Sequence, residues 1–292
     1  MFGRNERKGT VGCKAGAMVP LMKHVNEVSV GRKAVQRAGR CINLNGHVAE
    51  QLVCDRFNRN PVNILTGKVA RQTKSPIAVR DDILVFQKGH IIGRKQIKDT
   101  PAGIAKTLKQ VKAGHYKGTR LEGTVETVKK YNAKAAKSKT PITQKMSSTG
   151  ISSDQTNLIK AKTLGGSLVK NGPALAREAR RTGLKAGAVS GAVSTVVNGV
   201  KVYKGEETLG QATKNVTKSS VVGTVSGAAG NAAGSAATIL VATTPAAPAA
   251  PLVGGAVGTG TAVATAKVTG MAWDCGEKAI AKTMPKGSIQ FS

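Results

Sequence analysis

Three side chains between Asp82 and Lys98, in the stretch DILVFQKGHIIGRKQIK, are of types that can act together on a phosphate. Asp82 precedes the apolar run Ile83-Leu84-Val85-Phe86, and Gln96 and Lys98 close a second run that begins at His90. A carboxylate and an amide oxygen are hard ligands for a divalent cation, and an ammonium supports an attacking water or the charge that develops on a phosphate. For these groups to meet, both runs must be strands of one hairpin, turned at Lys88-Gly89. Residues two apart in a strand share a face, so Gln96 and Lys98 point one way and Ile97 the other. The same alternation turns Asp81 away from Asp82.

The flanking segments supply the rest of an α/β layer. Val48, Ala49, Leu52, Val53 and Phe57 form a stripe at helical spacing over residues 47–57, with Glu50 off its middle, and Asn60-Pro61 ends that helix. After the hairpin, Thr100-Pro101 is a helix start, with Thr at the N-cap and Pro at the first helical position. Ile104, Leu108 and Val111 give that helix its apolar face. Residues 116–123 read as a loop and a short third strand, parallel to the second, and a further helix begins at Glu126.

The order of helix, Asp-strand, turn, QxK strand and amphipathic helix resembles the PD-(D/E)xK nuclease superfamily, in the variant with Gln at the second acidic position found in Mrr-type restriction endonucleases. The matching pieces are Asp82, thirteen residues, then Gln96-Ile97-Lys98. Gly46 to Leu52 resembles the family's first helix, which often adds an acid, here Glu50. The resemblance covers roughly residues 40–130. It departs from the family at Pro76, which lies six residues before Asp82 rather than beside it. It implies a restriction-endonuclease-like small mixed sheet with flanking helices, Mg²⁺ (or Mn²⁺) held by Asp82, Gln96 and Glu50, and Lys98 assisting the nucleophile in phosphodiester hydrolysis.

Charge agrees with a polyanionic partner. The chain of 292 residues has a net charge of +30, and residues 1–182 carry 36 Lys and Arg against 11 Asp and Glu. Nucleic acid, DNA before RNA, is the expected partner. Arg37 and Arg40, on an Arg-rich segment over 31–43, and Arg94 and Lys95, beside the QxK strand, are the expected phosphate contacts. Aromatic content of 3% argues against a large conventional core. Four scattered Cys form no disulfide scaffold, and four scattered His show no zinc spacing. The opening MFGRNERKGT has no apolar core of a secretory signal, so a reducing, cytoplasmic setting is expected.

Four segments result: a basic flexible arm over 1–30, the nuclease-like α/β domain over 31–135, a polar basic linker over 136–182, and a Gly/Ala-rich all-α domain over 183–285. In the last, small residues recur every fourth position: Gly183, Gly187 and Gly191, then Gly223 and Gly227, then Gly254 and Gly258, with Gly230 and Gly234 as a second ridge. Such ridges let helix backbones approach closely. No charged residue occurs from Ser219 to Ala266, and Pro245, Pro248 and Pro251 break the run. A glycine-zipper helical hairpin over 219–272 is expected, associated with the cytoplasmic face of a membrane peripherally or integrally, or packed into a homo-oligomer through its ridges.

Two functions follow. One is a metal-dependent nuclease with a membrane-associating tail, a combination that suits a toxin, a phage-defence effector or a phage-carried protein. The other is a non-enzymatic protein that binds nucleic acid or inserts in membranes, or a structural protein of a virion type, with a degenerate nuclease fold. Glu50 separates them: facing Asp82 and Gln96 it favours catalysis, and facing solvent it favours binding.

Overall fold

The structure is a computed structural model that describes residues 10–41, 43–75, 80–244 and 249–283, with side chains from 18 to 279 within those ranges. It divides into two compact units, one of residues 27–165 and one of residues 1–26 with 166–292. Helix α1 (Thr10–Ala38) contributes to both. Pro76, Pro245 and Pro248 lie outside the described residues.

The unit of residues 27–165 is a mixed α/β layer. After α1 the chain forms α2 (Leu44–Asn58), α3 (Pro61–Leu65), β1 (Lys68–Gln72), β2 (Ile83–Gln87), β3 (His90–Lys98), α4 (Ile104–Lys112), β4 (Arg120–Gly123), α5 (Val125–Ala136), β5 (Ser147–Ser148) and α6 (Ser153–Leu164). The sheet has the order β1-β2-β3-β4-β5. Its first two pairings are antiparallel and its last two parallel. The β2–β3 turn has φ of 49° at Lys88 and 82° at Gly89, the two positive values that a two-residue hairpin with the native strand twist requires. The parallel β3–β4 pair needs a crossover, and α4 provides it.

Two apolar clusters hold this layer. Leu44, Val48 and Leu52 of α2 pack with Ile83, Ile97, Ile151 and Ile159. Ile104, Tyr116, Leu121, Tyr131 and Met146 form the second. Gly123 is needed where β4 meets β3. A Cβ there would stand 3.0 Å from the Lys98 carbonyl oxygen and 2.7 Å from Met146 Sδ.

Several segments differ from the expectation. The arm over 1–30 is helix from Thr10 onward, because α1 buries His24, Glu27, Val30 and Ala34 along one face. The linker over 136–182 contains α6, whose Leu158 and Ile159 are buried, and the start of the next helix. Thr100-Pro101 does not begin α4. The Gly103 amide donates to the Thr100 carbonyl at 3.0 Å, and this turn delays the helix to Ile104.

The second unit has three long helices besides its part of α1: α7 (Leu168–Tyr203), α8 (Leu209–Val241) and α9 (Ala250–Thr283). Ser167 caps α7 through the Lys170 amide, and Thr208 with Gln211 forms a capping box on α8. The glycine ridges are filled from within the chain. A Cβ on Gly183 of α7 would stand 2.5 Å from the Thr224 carbonyl oxygen of α8. One on Gly234 of α8 would stand 2.6 Å from the Gly254 carbonyl oxygen of α9. Thus α8 turns one ridge, Gly223 and Gly227, toward α7, and the other, Gly230 and Gly234, toward α9.

Beside a few buried aliphatic side chains, Leu175, Val222 and Ile239, the helices of this unit bury many small polar groups and expose many larger apolar ones. Thr182, Ser190, Ser226, Asn231, Ser235 and Thr238 are buried, whereas Val196, Val200, Leu240, Leu252, Val263 and Val268 are exposed. Close backbone approach leaves room inside only for small groups, and Thr238 satisfies its hydroxyl by donating to the Gly234 carbonyl at 2.8 Å. Among the described residues no helix is long and apolar enough to cross a membrane.

Candidate active site

Asp82 sits at the mouth of β2, pinned on both sides by the ladder. Its amide donates to the Lys95 carbonyl at 2.9 Å, and its carbonyl accepts from the Thr73 amide at 2.9 Å. The carboxylate turns toward β3. One oxygen, Oδ2, accepts from Gln96 Nε2 at 2.7 Å and from the Ile97 amide at 2.7 Å. Both Asp82 and Gln96 are buried. Asp81 is engaged elsewhere, accepting from Arg94 Nη1 at 2.6 Å and from Thr119 Oγ1 at 2.7 Å.

Lys98 ends β3 on the face shared with Gln96, its Nζ 5.1 Å from the centre of the Tyr116 ring. The next residue locks the strand end. Asp99 accepts from Ser153 Oγ at 2.6 Å, Thr156 Oγ1 at 2.5 Å, Thr124 Oγ1 at 3.1 Å and Asn45 Nδ2 at 3.2 Å. These donors come from or adjoin α2, α5 and α6, so β3 is anchored to the helices where Lys98 leaves it.

Glu50 faces inward. It is 6% exposed and is held by Gln72 Nε2 at 3.4 Å. Arg37 Nη2 lies 3.6 Å from its Oε2, and His47 Nδ1 lies 3.4 Å from its Oε1. Its charge reaches the other site groups. Burial, and then Glu50, push the Asp82 carboxyl up to about 7, against the Ile97 amide, Lys98 and Gln96, which act to lower it. Burial pulls the Lys98 amine below its ordinary value, and Asp82 and Glu50 counteract that. Tyr116 is pushed up to about 12, by burial first and Asp82 second.

The donor set fits a hard cation. Among the described residues no three His, Cys, Asp or Glu side chains gather as metal ligands. The candidate set is therefore Asp82, Glu50 and the amide oxygen of Gln96. That oxygen, Oε1, is buried and has no hydrogen-bond partner among the described residues, while its own amide nitrogen is bonded to Asp82. A dry, unpaired acceptor whose own amide nitrogen is bonded to Asp82 is a position a divalent cation satisfies.

The expected phosphate contacts separate. Arg94 is bonded to Asp81, and Lys95 lies 3.0 Å from Glu122 Oε1 and over the Phe57 ring, so both are engaged inside the fold. Arg40 is exposed beyond the end of α1, and Arg37 stands at Glu50. Sequence reasoning missed Gln72, His47 and Tyr116. Only His47, three residues before Glu50 on the same helix, carried a local signal, the (i, i+3) spacing. Comparison with family models, with curated proteins and with solved structures returned no match for this chain.

Proposed function

We propose that the α/β unit is a metal-dependent nuclease that hydrolyses phosphodiesters, with DNA as its first substrate. The observation that carries this reading is the buried, unpaired Gln96 Oε1 beside Asp82, with Glu50 buried and its charge felt at Asp82. The order of α2, β2, hairpin, β3 and α4 supports the resemblance to the PD-(D/E)xK superfamily as well. Asp82, Glu50 and Gln96 Oε1 would hold Mg²⁺ or Mn²⁺, which when bound polarises the phosphate and lowers the pKa of its water. The Ile97 amide and Gln96 Nε2 fix the Asp82 carboxylate in advance. Lys98, partly desolvated near two acids, presents its charge where the electrostatic effect exceeds that in water, and offsets the charge that develops on the phosphate.

With Mg²⁺ or Mn²⁺ the protein is expected to nick supercoiled plasmid, and Asp82→Ala and Lys98→Ala each lower the rate by about 10²–10³-fold or more. Cleavage that persists in excess chelator, or survives both substitutions, would falsify this assignment.

For the helical unit we propose association with a membrane surface rather than a span. The exposed valines and leucines of its helices, among them Val196, Val200, Leu240, Leu252, Val263 and Val268, support it. The full chain should float with liposomes, and a chain that stays in the soluble fraction with every vesicle composition rules this out.

A further inference from the structure

Arg37 lies in the last turn of α1, with its side chain only 12% exposed. Its Nη2 donates to the Ser75 carbonyl at 3.0 Å and to Thr73 Oγ1 at 3.3 Å, and stands 3.6 Å from Glu50 Oε2. The other two nitrogens, Nε and Nη1, are buried and have no hydrogen-bond partner among the described residues. His47 Nδ1, on the other side of Glu50, is likewise buried without a hydrogen bond. Arg94 and Lys95 differ, because acids within the fold already take them.

A guanidinium offers five N–H donors in a rigid plane and cannot shed its charge. Leaving two of its nitrogens dry and unpaired is costly, and a folded protein keeps such a group where something else completes it. The completing group must be an acceptor, must be compatible with positive charge, and must fit next to an acid already assigned to a cation. A phosphate meets all three conditions, since one oxygen can accept from a free guanidinium N–H while another faces a metal.

We propose that Arg37, through one of its two unpaired nitrogens, Nε or Nη1, which lie on different edges of the guanidinium, binds a phosphate oxygen of the substrate at the reacting phosphate or its neighbour, with His47 as a second donor at the other oxygen of Glu50. This rests on the nuclease reading. It makes Arg37 a substrate-binding residue inside the site rather than one of many surface charges that attract a polyanion.

The test uses the full chain as wild type, Arg37→Lys, which keeps charge and stem, and Arg37→Met, which keeps volume. Inorganic phosphate should raise the melting temperature of wild type, and the rise should shrink in Arg37→Lys and vanish in Arg37→Met. Binding of a duplex oligonucleotide in chelator should lose about one unit of log–log salt slope in Arg37→Met. In the cleavage assay KM should rise about tenfold or more, the effect of one lost charge-assisted hydrogen bond, with partial recovery in Arg37→Lys. A phosphate response and salt slope in Arg37→Lys and Arg37→Met equal to wild type overturn the proposal even if plasmid is cleaved. A phosphate response that depends on Arg37 in a protein that cleaves nothing leaves the phosphate site standing and removes the nuclease reading instead. If Arg37→Met does not fold, an Arg37→Lys protein whose KM and phosphate response match wild type overturns it equally.

Discussion

Asp82 is held where its ionisation opposes folding. Its pKa in the fold, about 7, exceeds that of a free Asp, so the folded state prefers the protonated form. The stability this brings is present at acid pH, below the unfolded pKa, and is lost as pH rises through about 7. Asp82→Asn removes the cost while an amide oxygen can still accept from Ile97. In chelator, the stability advantage of Asp82→Asn over wild type should therefore grow from pH 4 to pH 8 by up to about 4 kcal/mol, from ~1.4 kcal/mol per pH unit. Urea unfolding at several pH values measures it, and a difference independent of pH contradicts the linkage. The hairpin that brings Asp82 to Gln96 was legible in the sequence from its two apolar runs and Lys-Gly turn, although a one-residue register shift at Val85/Phe86, which no local pattern announces, is what sets Gln96 rather than Lys95 beside Asp82. The neighbours of Glu50 were not. Arg37 and Gln72 come from other elements, and no local period records which side chains a fold brings together.

At the scale of elements, the two kinds of glycine on the long helices behave oppositely. Gly183 and Gly234 sit where a Cβ would meet a neighbouring backbone oxygen, at 2.5 and 2.6 Å. Gly199 and Gly260 have nothing within 4 Å of the place where a Cβ would stand. Gly199→Ala and Gly260→Ala should each stabilise the protein by roughly 0.5–1 kcal/mol through helix propensity. Gly183→Ala and Gly234→Ala should lower the melting temperature, because backbone cannot move aside as a flexible side chain can. Equal effects at the two sets would mean that the ridges are not in contact. The four-residue steps announced these ridges, and the sheet's hairpin was equally plain. Helix α6 and the part of α1 before residue 31 were hidden for one reason. Their buried faces include His24, Glu27, Thr156 and Lys162, and Lys162 Nζ donates to Glu27 Oε2 at 2.6 Å in the interior. A stripe made partly of ions and hydroxyls has no apolar period to read. Strand β1 was hidden by its composition, with Val69 and Ala70 the only apolar residues among Lys68, Arg71 and Gln72.

Across the whole molecule, both units are basic. Residues 27–165 carry 27 Lys and Arg against 9 Asp and Glu, and residues 1–26 with 166–292 carry 18 against 6. The proposed attraction to nucleic acid would act through many of these charges at once. Affinity for duplex DNA of mixed sequence should fall steeply between 50 and 200 mM salt, by about 10³-fold or more if some six phosphates are neutralised. A filter-binding titration whose midpoint is flat over that range contradicts it.

The small-residue interior of the helical unit has a thermal consequence. The heat capacity of unfolding rises with apolar area exposed and falls with polar area exposed. This unit exposes many of its valines and leucines while folded and keeps hydroxyls, amides and backbone inside, with Leu175, Val222 and Ile239 the larger aliphatic side chains buried among them. Melting it uncovers little new hydrocarbon, so its heat-capacity increment falls below the usual ~12–15 cal/mol/K per residue. Its stability curve is then shallow: the unit weakens little on cooling, and its enthalpy of unfolding changes little between cold and physiological temperature.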